Sequence, residues 1–228
     1  MALLHRARKA AGLTQAGAAR KLGVSQPYLS LLEAGRRELP DRLARKAVTL
    51  YRLPPTALPL DWHRTKPAKA DSQALTEQLS ALGYPGFAHV PSRRTCNPAE
   101  FLFTALAQND LDSRLAGALP WVVWRYPELD WDWLVGAVKL NNLQNRLGFV
   151  TAFARRLTEA SNDAVKTATL KTQEARLDAA RLAREDTLCH ESLSPVERNW
   201  LRKERPADAL YWNLLTDLSP QHANYPDV

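Results

Sequence analysis

Glycine and cysteine are scarce in this chain of 228 residues, at nine and two. No glycine-rich loop of the kind that cradles phosphates is among those nine, so neither a P-loop nor a dinucleotide fingerprint is present. Cys96 and Cys189 lie far apart without paired spacing. That excludes a disulfide framework and points to a reduced, cytoplasmic setting. Cys189-His190 has no second pair to complete a metal site, and no His/Asp/Glu cluster carries ligand spacing, so no metal is expected. No serine or cysteine has a matched base nearby, so neither catalysis nor a cofactor is expected. No run of about 18 apolar residues occurs, and nothing is expected to span a membrane. The opening MALLHRARKA turns basic at once and lacks the apolar core of a signal peptide. Alternating strand patterns and internal repeats are also missing.

What the chain does hold is helical signal and unevenly placed charge. Residues 1–58 contain eleven Lys/Arg against three Asp/Glu, whereas the other 170 contain twenty against twenty-one. The overall excess of +7 therefore belongs to the first quarter. A basic patch of that kind binds phosphates through counterion release. Within it, residues 12–35 read as two short helices. Thr14 caps the first, which runs to about Leu22 and stops at Gly23. Ser25 caps the second, Pro27 sits in its first turn, and Gly35 ends it. Two helices joined by a turn of about three or four residues form a helix-turn-helix, whose second helix enters the major groove of DNA.

The apolar spacing sharpens this. Ala18, Ala19 and Leu22 give the first helix a narrow inner stripe. On the second, with Leu29 set inward, Leu32 and Glu33 flank it, while Pro27, Leu31 and Ala34 point away with Ser30 at the border. An outward leucine suits thymine methyls, or else packs on a neighbouring domain; Gln26 can pair bidentately with adenine. Arg36, Arg37 and Arg42 follow as phosphate clamps, and Lys9, Arg20 and Lys21 are either further contacts or solvated surface.

Residues 3–58 resemble the phage-repressor/Cro-like (XRE-type) helix-turn-helix domains. The carriers are Gly12-Leu13-Thr14-Gln15, the Ala18-Ala19 pair, Leu22-Gly23-Val24-Ser25 and the run from Tyr28 to Arg37. The resemblance implies that Gln15, with Thr14, holds a phosphate. It also implies that Ser25, Gln26, Pro27 and Tyr28, joined by Ser30 and Leu31, meet base edges of double-stranded DNA, and that Glu33 bonds within the domain. Leu31 and Ala34 depart from the polar or basic groups common there, which shifts readout toward shape and methyl contacts.

The expected fold class is all-α: a helix-turn-helix domain of four to five helices over 1–58, a proline-rich linker with a short helix and an apolar strap over 59–92, and a larger bundle-like helical domain over 93–228. Tyr84, Phe87 and Val90 belong to the strap. Asn97-Pro98-Ala99-Glu100 reads as a capped helix start leading into Phe101, Leu102 and Ala105. Pro120 and Pro127 bracket a short apolar piece, either a helical turn or an extended link. Long helices are expected over 131–160 and 163–188, and a last one from Ser194. All seven tryptophans lie beyond residue 58 and demand a packed core or an interface.

Lys139, Asn141, Asn142, Asn145 and Arg146 form a polar cluster that helix propensity does not explain. It either caps a break, forms a buried polar network, or presents a face to a partner. The stretch from Ala118 through Phe149 resembles the C-terminal region of antitoxins paired with nucleotidyltransferase-like toxins. That resemblance implies an autorepressing antitoxin, a dimer on DNA, whose helical domain binds and neutralises a toxin. The alternatives are a ligand-sensing repressor with a tryptophan-lined pocket and, further off, an enzyme fused to the DNA-binding domain.

Overall fold

The computed structural model describes residues 3–92, 95–220 and 225, so the expected boundary at residue 93 and the chain end at 226–228 lie outside the described residues. The chain divides into two compact units, 1–60 and 61–228. It is all-α, with twelve helices among the described residues.

In the first unit the helices are α1 (Leu3–Ala10), α2 (Gln15–Leu22), α3 (Gln26–Glu33) and α4 (Asp41–Tyr51), followed by a single 3₁₀ turn at Pro55–Ala57. Thr14 and Ser25 cap α2 and α3 by accepting the amides of Gly17 and Tyr28, and Gly23 leaves α2 at φ 77°. The small core joins Ala18, Ala19 and Leu22 of α2 to Leu29 and Leu32 of α3, with Leu43, Ala47 and Tyr51 of α4 behind them. Paired alanines are what let α3 sit this close to α2.

The second unit is built around α9 (Gln144–Ala160), which is buried on every side over residues 144–154. Around it pack α7 (Ser113–Arg125), α8 (Trp131–Leu140) and α10 (Ala164–Asp178). The remaining helices are α5 (Ser72–Ala81), α6 (Pro98–Leu106), α11 (Pro195–Glu204) and α12 (Ala207–Tyr211). The single long helix expected over 131–160 is two helices. Val138 accepts the amide of Leu143 at 2.9 Å while Asn142 adopts φ 58°, which closes α8 with a Schellman turn. Asn162 ends α9 the same way at φ 55°, and Asn213 follows α12 at φ 54°. Asparagine tolerates this left-handed geometry and here does what glycine does in glycine-rich chains.

Other elements depart from expectation for identifiable reasons. The helix expected over 163–188 ends at Asp178, and the chain beyond it forms a two-residue parallel pair, β1 (Asp186–Thr187) with β2 (Leu214–Leu215). Pro120 does not interrupt α7; it lies inside it. A proline in a helix interior costs about 3 kcal/mol or more, and the complete burial of residues 119–123 outweighs that. The capping box at Ser194 and Glu197 starts α11 as expected, but α12 follows it.

The stretch read as a linker is largely incorporated into the second unit. Trp133 Nε1 donates to the Asp61 carbonyl at 3.0 Å, Asn141 Nδ2 to the Thr65 carbonyl at 2.8 Å, and the Tyr126 hydroxyl to the Leu82 carbonyl at 2.6 Å. The Tyr84 ring meets Trp121 and Phe87 edge-on, so the strap covers apolar core.

Candidate nucleic-acid interface

The outward surface of α3 follows from what its inward surface must do. Leu29, Leu32 and Glu33 are buried. Helical geometry then turns Gln26, Pro27, Ser30 and Ala34 to solvent, with Tyr28 and Leu31 partly exposed. Ser25, just ahead of the helix, is exposed as well. The six residues expected to meet bases thus share one accessible helix face and its N-terminal end.

A buried ion pair fixes the angle of that helix. Arg8 Nε donates to Glu33 Oε1 at 2.6 Å and its Nη2 to Oε2 at 3.1 Å, a fork that ties α1 to α3. Arg8 Nη1 also donates to the Leu13 carbonyl at 2.8 Å, bracing the turn before α2. His5 Nδ1 lies 3.1 Å from Glu33 Oε2. Burial disfavours a charged Glu33, yet the bonds from Arg8, His5 and Gln15 outweigh it and hold the carboxyl below the usual glutamate range.

Gln15 links this pair to the exposed face of α3. Its amide donates to Glu33 Oε2 at 3.2 Å, and its carbonyl accepts from Gln26 Nε2 at 3.4 Å. A glutamine amide has two N–H donors, so one on Gln15 is left for a phosphate. Gln26 likewise keeps one N–H and its carbonyl oxygen, the two groups that bidentate pairing with adenine needs. The chain Arg8–Glu33–Gln15–Gln26 therefore passes positional order from a buried charge to an exposed side chain. Thr14 spends an acceptor lone pair on the Gly17 amide, which leaves its hydroxyl hydrogen to donate.

The arginines stand where the backbone turns. Gly35, at φ 69°, completes a Schellman turn in which the Arg36 amide donates to the Leu31 carbonyl at 2.9 Å. Arg36 and Arg37 leave that turn exposed, and Arg42 is exposed on the first turn of α4. Among the described residues none of the three has an ion-pair partner. Lys46 is used otherwise: its Nζ reaches the Leu22 carbonyl at 3.4 Å, at the end of α2. Arg8 entered the sequence reading only as part of the basic excess. Its position one helical turn after Leu4, which packs on the same core, was the available signal that it faces inward.

The family model for a helix-turn-helix domain matches residues 2–60. Those residues are a helix-turn-helix domain. A domain of this kind points to DNA binding, and the match ends where the second unit begins. No curated protein and no solved structure matches the chain.

Beyond the helix-turn-helix domain, the polar cluster separates into two roles. Asn145 is buried, donating to the Leu182 carbonyl at 2.9 Å and accepting the Leu182 amide at 2.8 Å. Arg146 is buried too. It forks onto Asp186 at 2.8 and 2.9 Å and donates to the carbonyls of Leu106 and Gln108. Asn141 caps α8 and bonds Thr65. Only Lys139 and Asn142 of the five are exposed, so a partner-facing role for Asn145 and Arg146 gives way to an internal one. Cys189 lies against Arg146, and burial pushes its thiol up to about 11, so it is held as a thiol and not as a nucleophile. The buried tryptophans, Trp121, Trp131, Trp133 and Trp212, are part of the core of the second unit.

Proposed function

We propose that this protein is a sequence-specific transcriptional repressor that dimerises on DNA and sets two α3 helices on half-sites about one duplex turn apart. The observation that carries this reading is the solvent-facing side of α3, with Gln26 pre-oriented through Gln15 and two exposed arginines directly after the helix. Gln15, Thr14, Arg36, Arg37 and Arg42 hold the backbone; Ser25, Gln26, Pro27, Tyr28, Ser30 and Leu31 read the bases. The test is selection of duplexes from a random library by the full chain, followed by titration with salt. Recovery of a two-fold-related site with a steep salt slope supports the reading. Failure to retain any duplex at low ionic strength overturns it.

The finer reading is an autorepressing antitoxin, in which the 61–228 unit grips and neutralises a toxin. Its support is the resemblance carried by the segment that becomes α7, α8 and the start of α9. The exposed Val196 and Trp200, one turn apart on α11, add an apolar surface that a protein partner would cover. Co-expression with the product of the adjacent gene tests it. Co-purification, together with toxicity of the neighbour expressed alone, is the expected outcome, and a harmless neighbour that does not co-purify removes the antitoxin role.

A further inference from the structure

The second unit contains a leucine-walled cleft of about 440 Å³ that none of the roles above uses. Ligand sites typically span about 300–1,000 Å³, and this cleft falls in that range, with leucines and polar groups both in its lining. Its depth is formed by Leu111, Leu188, Leu201 and Leu215, all buried. Its mouth carries Ser113, His190, Thr216 and Asp217. One wall is the first turn of α7, where Ala116 and Gly117 present almost no side chain and so leave the space open.

The rim groups are held by backbone. His190 follows Cys189, which turns at φ 55°, and its own amide donates to Thr187 Oγ1 at 3.1 Å. Asp217 sits in a turn closed by the Leu218 amide donating to Thr216 Oγ1 at 3.2 Å. Among the described lining residues there is no lysine or arginine, and Asp217 is the one carboxylate. Nearby Arg198 is committed to the carbonyls of Leu193 and Glu191. Arg114 lies about 100° round α7 from Ser113, off the arc that faces the cleft.

We propose that this cleft binds a small amphipathic amine, its apolar body among the leucines and its ammonium group at Asp217, with Ser113 and Thr216 hydroxyls completing the head-group site. An ammonium offers donors only, and the rim supplies a carboxylate and two hydroxyl oxygens to accept them. A carboxylate head would face Asp217 with no lysine or arginine among the lining residues to offset the repulsion. The site belongs to the second unit alone and does not depend on how the first domain reads DNA.

Three probes of one shape separate the possibilities: hexylamine, hexanol and hexanoate, titrated against the full chain by ligand-observed NMR and calorimetry. Hexylamine is expected to bind at least about tenfold more tightly than hexanoate, with hexanol between them. Asp217→Asn, an exposed change, should bring the amine down to the level of the alcohol. Gly117→Leu should abolish binding of all three: a Cβ at Gly117 meets nothing closer than Leu218 Cδ1 at 4.0 Å, so the added side chain grows into the cleft without backbone clash. A melting temperature for each variant verifies that the fold is kept. Absence of binding by all three probes, tighter binding of hexanoate, or an amine preference that survives Asp217→Asn would each overturn the proposal.

Discussion

Glu33 and Gln26 are neighbours through one intervening amide, yet their substitutions should fail in different assays. Gln26→Ala should leave stability unchanged and cost about 1–3 kcal/mol of discrimination at a single base pair, measured by competition between duplexes that differ at that pair. Arg37→Ala should weaken binding to every sequence and lower the salt slope by about one unit. Glu33→Gln, by contrast, strands the buried Arg8 guanidinium without its counter-charge. Breaking a buried pair this way costs about 3–5 kcal/mol, which denaturant unfolding of the first unit would register before any DNA is added. Gly148 makes the same point in the second unit. Alanine is intrinsically the better helix former, by about 0.8–1.0 kcal/mol, but a Cβ at this position of α9 would overlap the Trp212 ring. Gly148→Ala should therefore lower the melting temperature, against the direction that propensity alone gives.

At the scale of elements, what was legible in the sequence tracks how local the cause is. The starts and ends of α2 and α3 were readable because their caps lie within four residues of the bonds they make, and the same holds for the capping box of α11. The inward side of α3 was readable because Leu29, Leu32 and Glu33 obey one period. The break between α8 and α9 was not placed. Its cause is the conformation of Asn142, and the apolar stripe of Leu140, Leu143, Leu147 and Val150 runs across the turn as though it were continuous. Leu140 proves exposed, at 71%. The end of α10 was missed because its reason is non-local: Asn145 and Arg146 capture Leu182 and Asp186, drawing the chain out of helix toward the β1–β2 pair. Pro120 misled in the opposite sense, since burial overrode a local penalty. Asn142→Ala should destabilise the second unit by about 1–2 kcal/mol, because alanine is strained in the left-handed region, while Asn142→Gly should be close to neutral; thermal unfolding of both variants checks this.

Taken whole, the molecule places one buried arginine–carboxylate fork in each unit. Burial works against ionisation of Asp186, as of Glu33, but the Arg146 guanidinium prevails and lowers its pKa. A lowered carboxylate pKa gives stability that is complete above the ordinary unfolded value and drains away as acid protonates the folded form. Melting temperatures of both units should accordingly hold steady down to about pH 5 and fall below it. The charge asymmetry has a second whole-molecule effect: raising salt should release DNA from the first domain without loosening the second. Finally, Trp212 is fully buried against the notch at Gly148, and Leu214 and Leu215 pair with β1. The keystone of the larger unit is therefore synthesised well after the first domain. A ribosome will have released a finished helix-turn-helix domain long before its partner unit can close, and a chain cut at residue 211 should keep the first while losing the second.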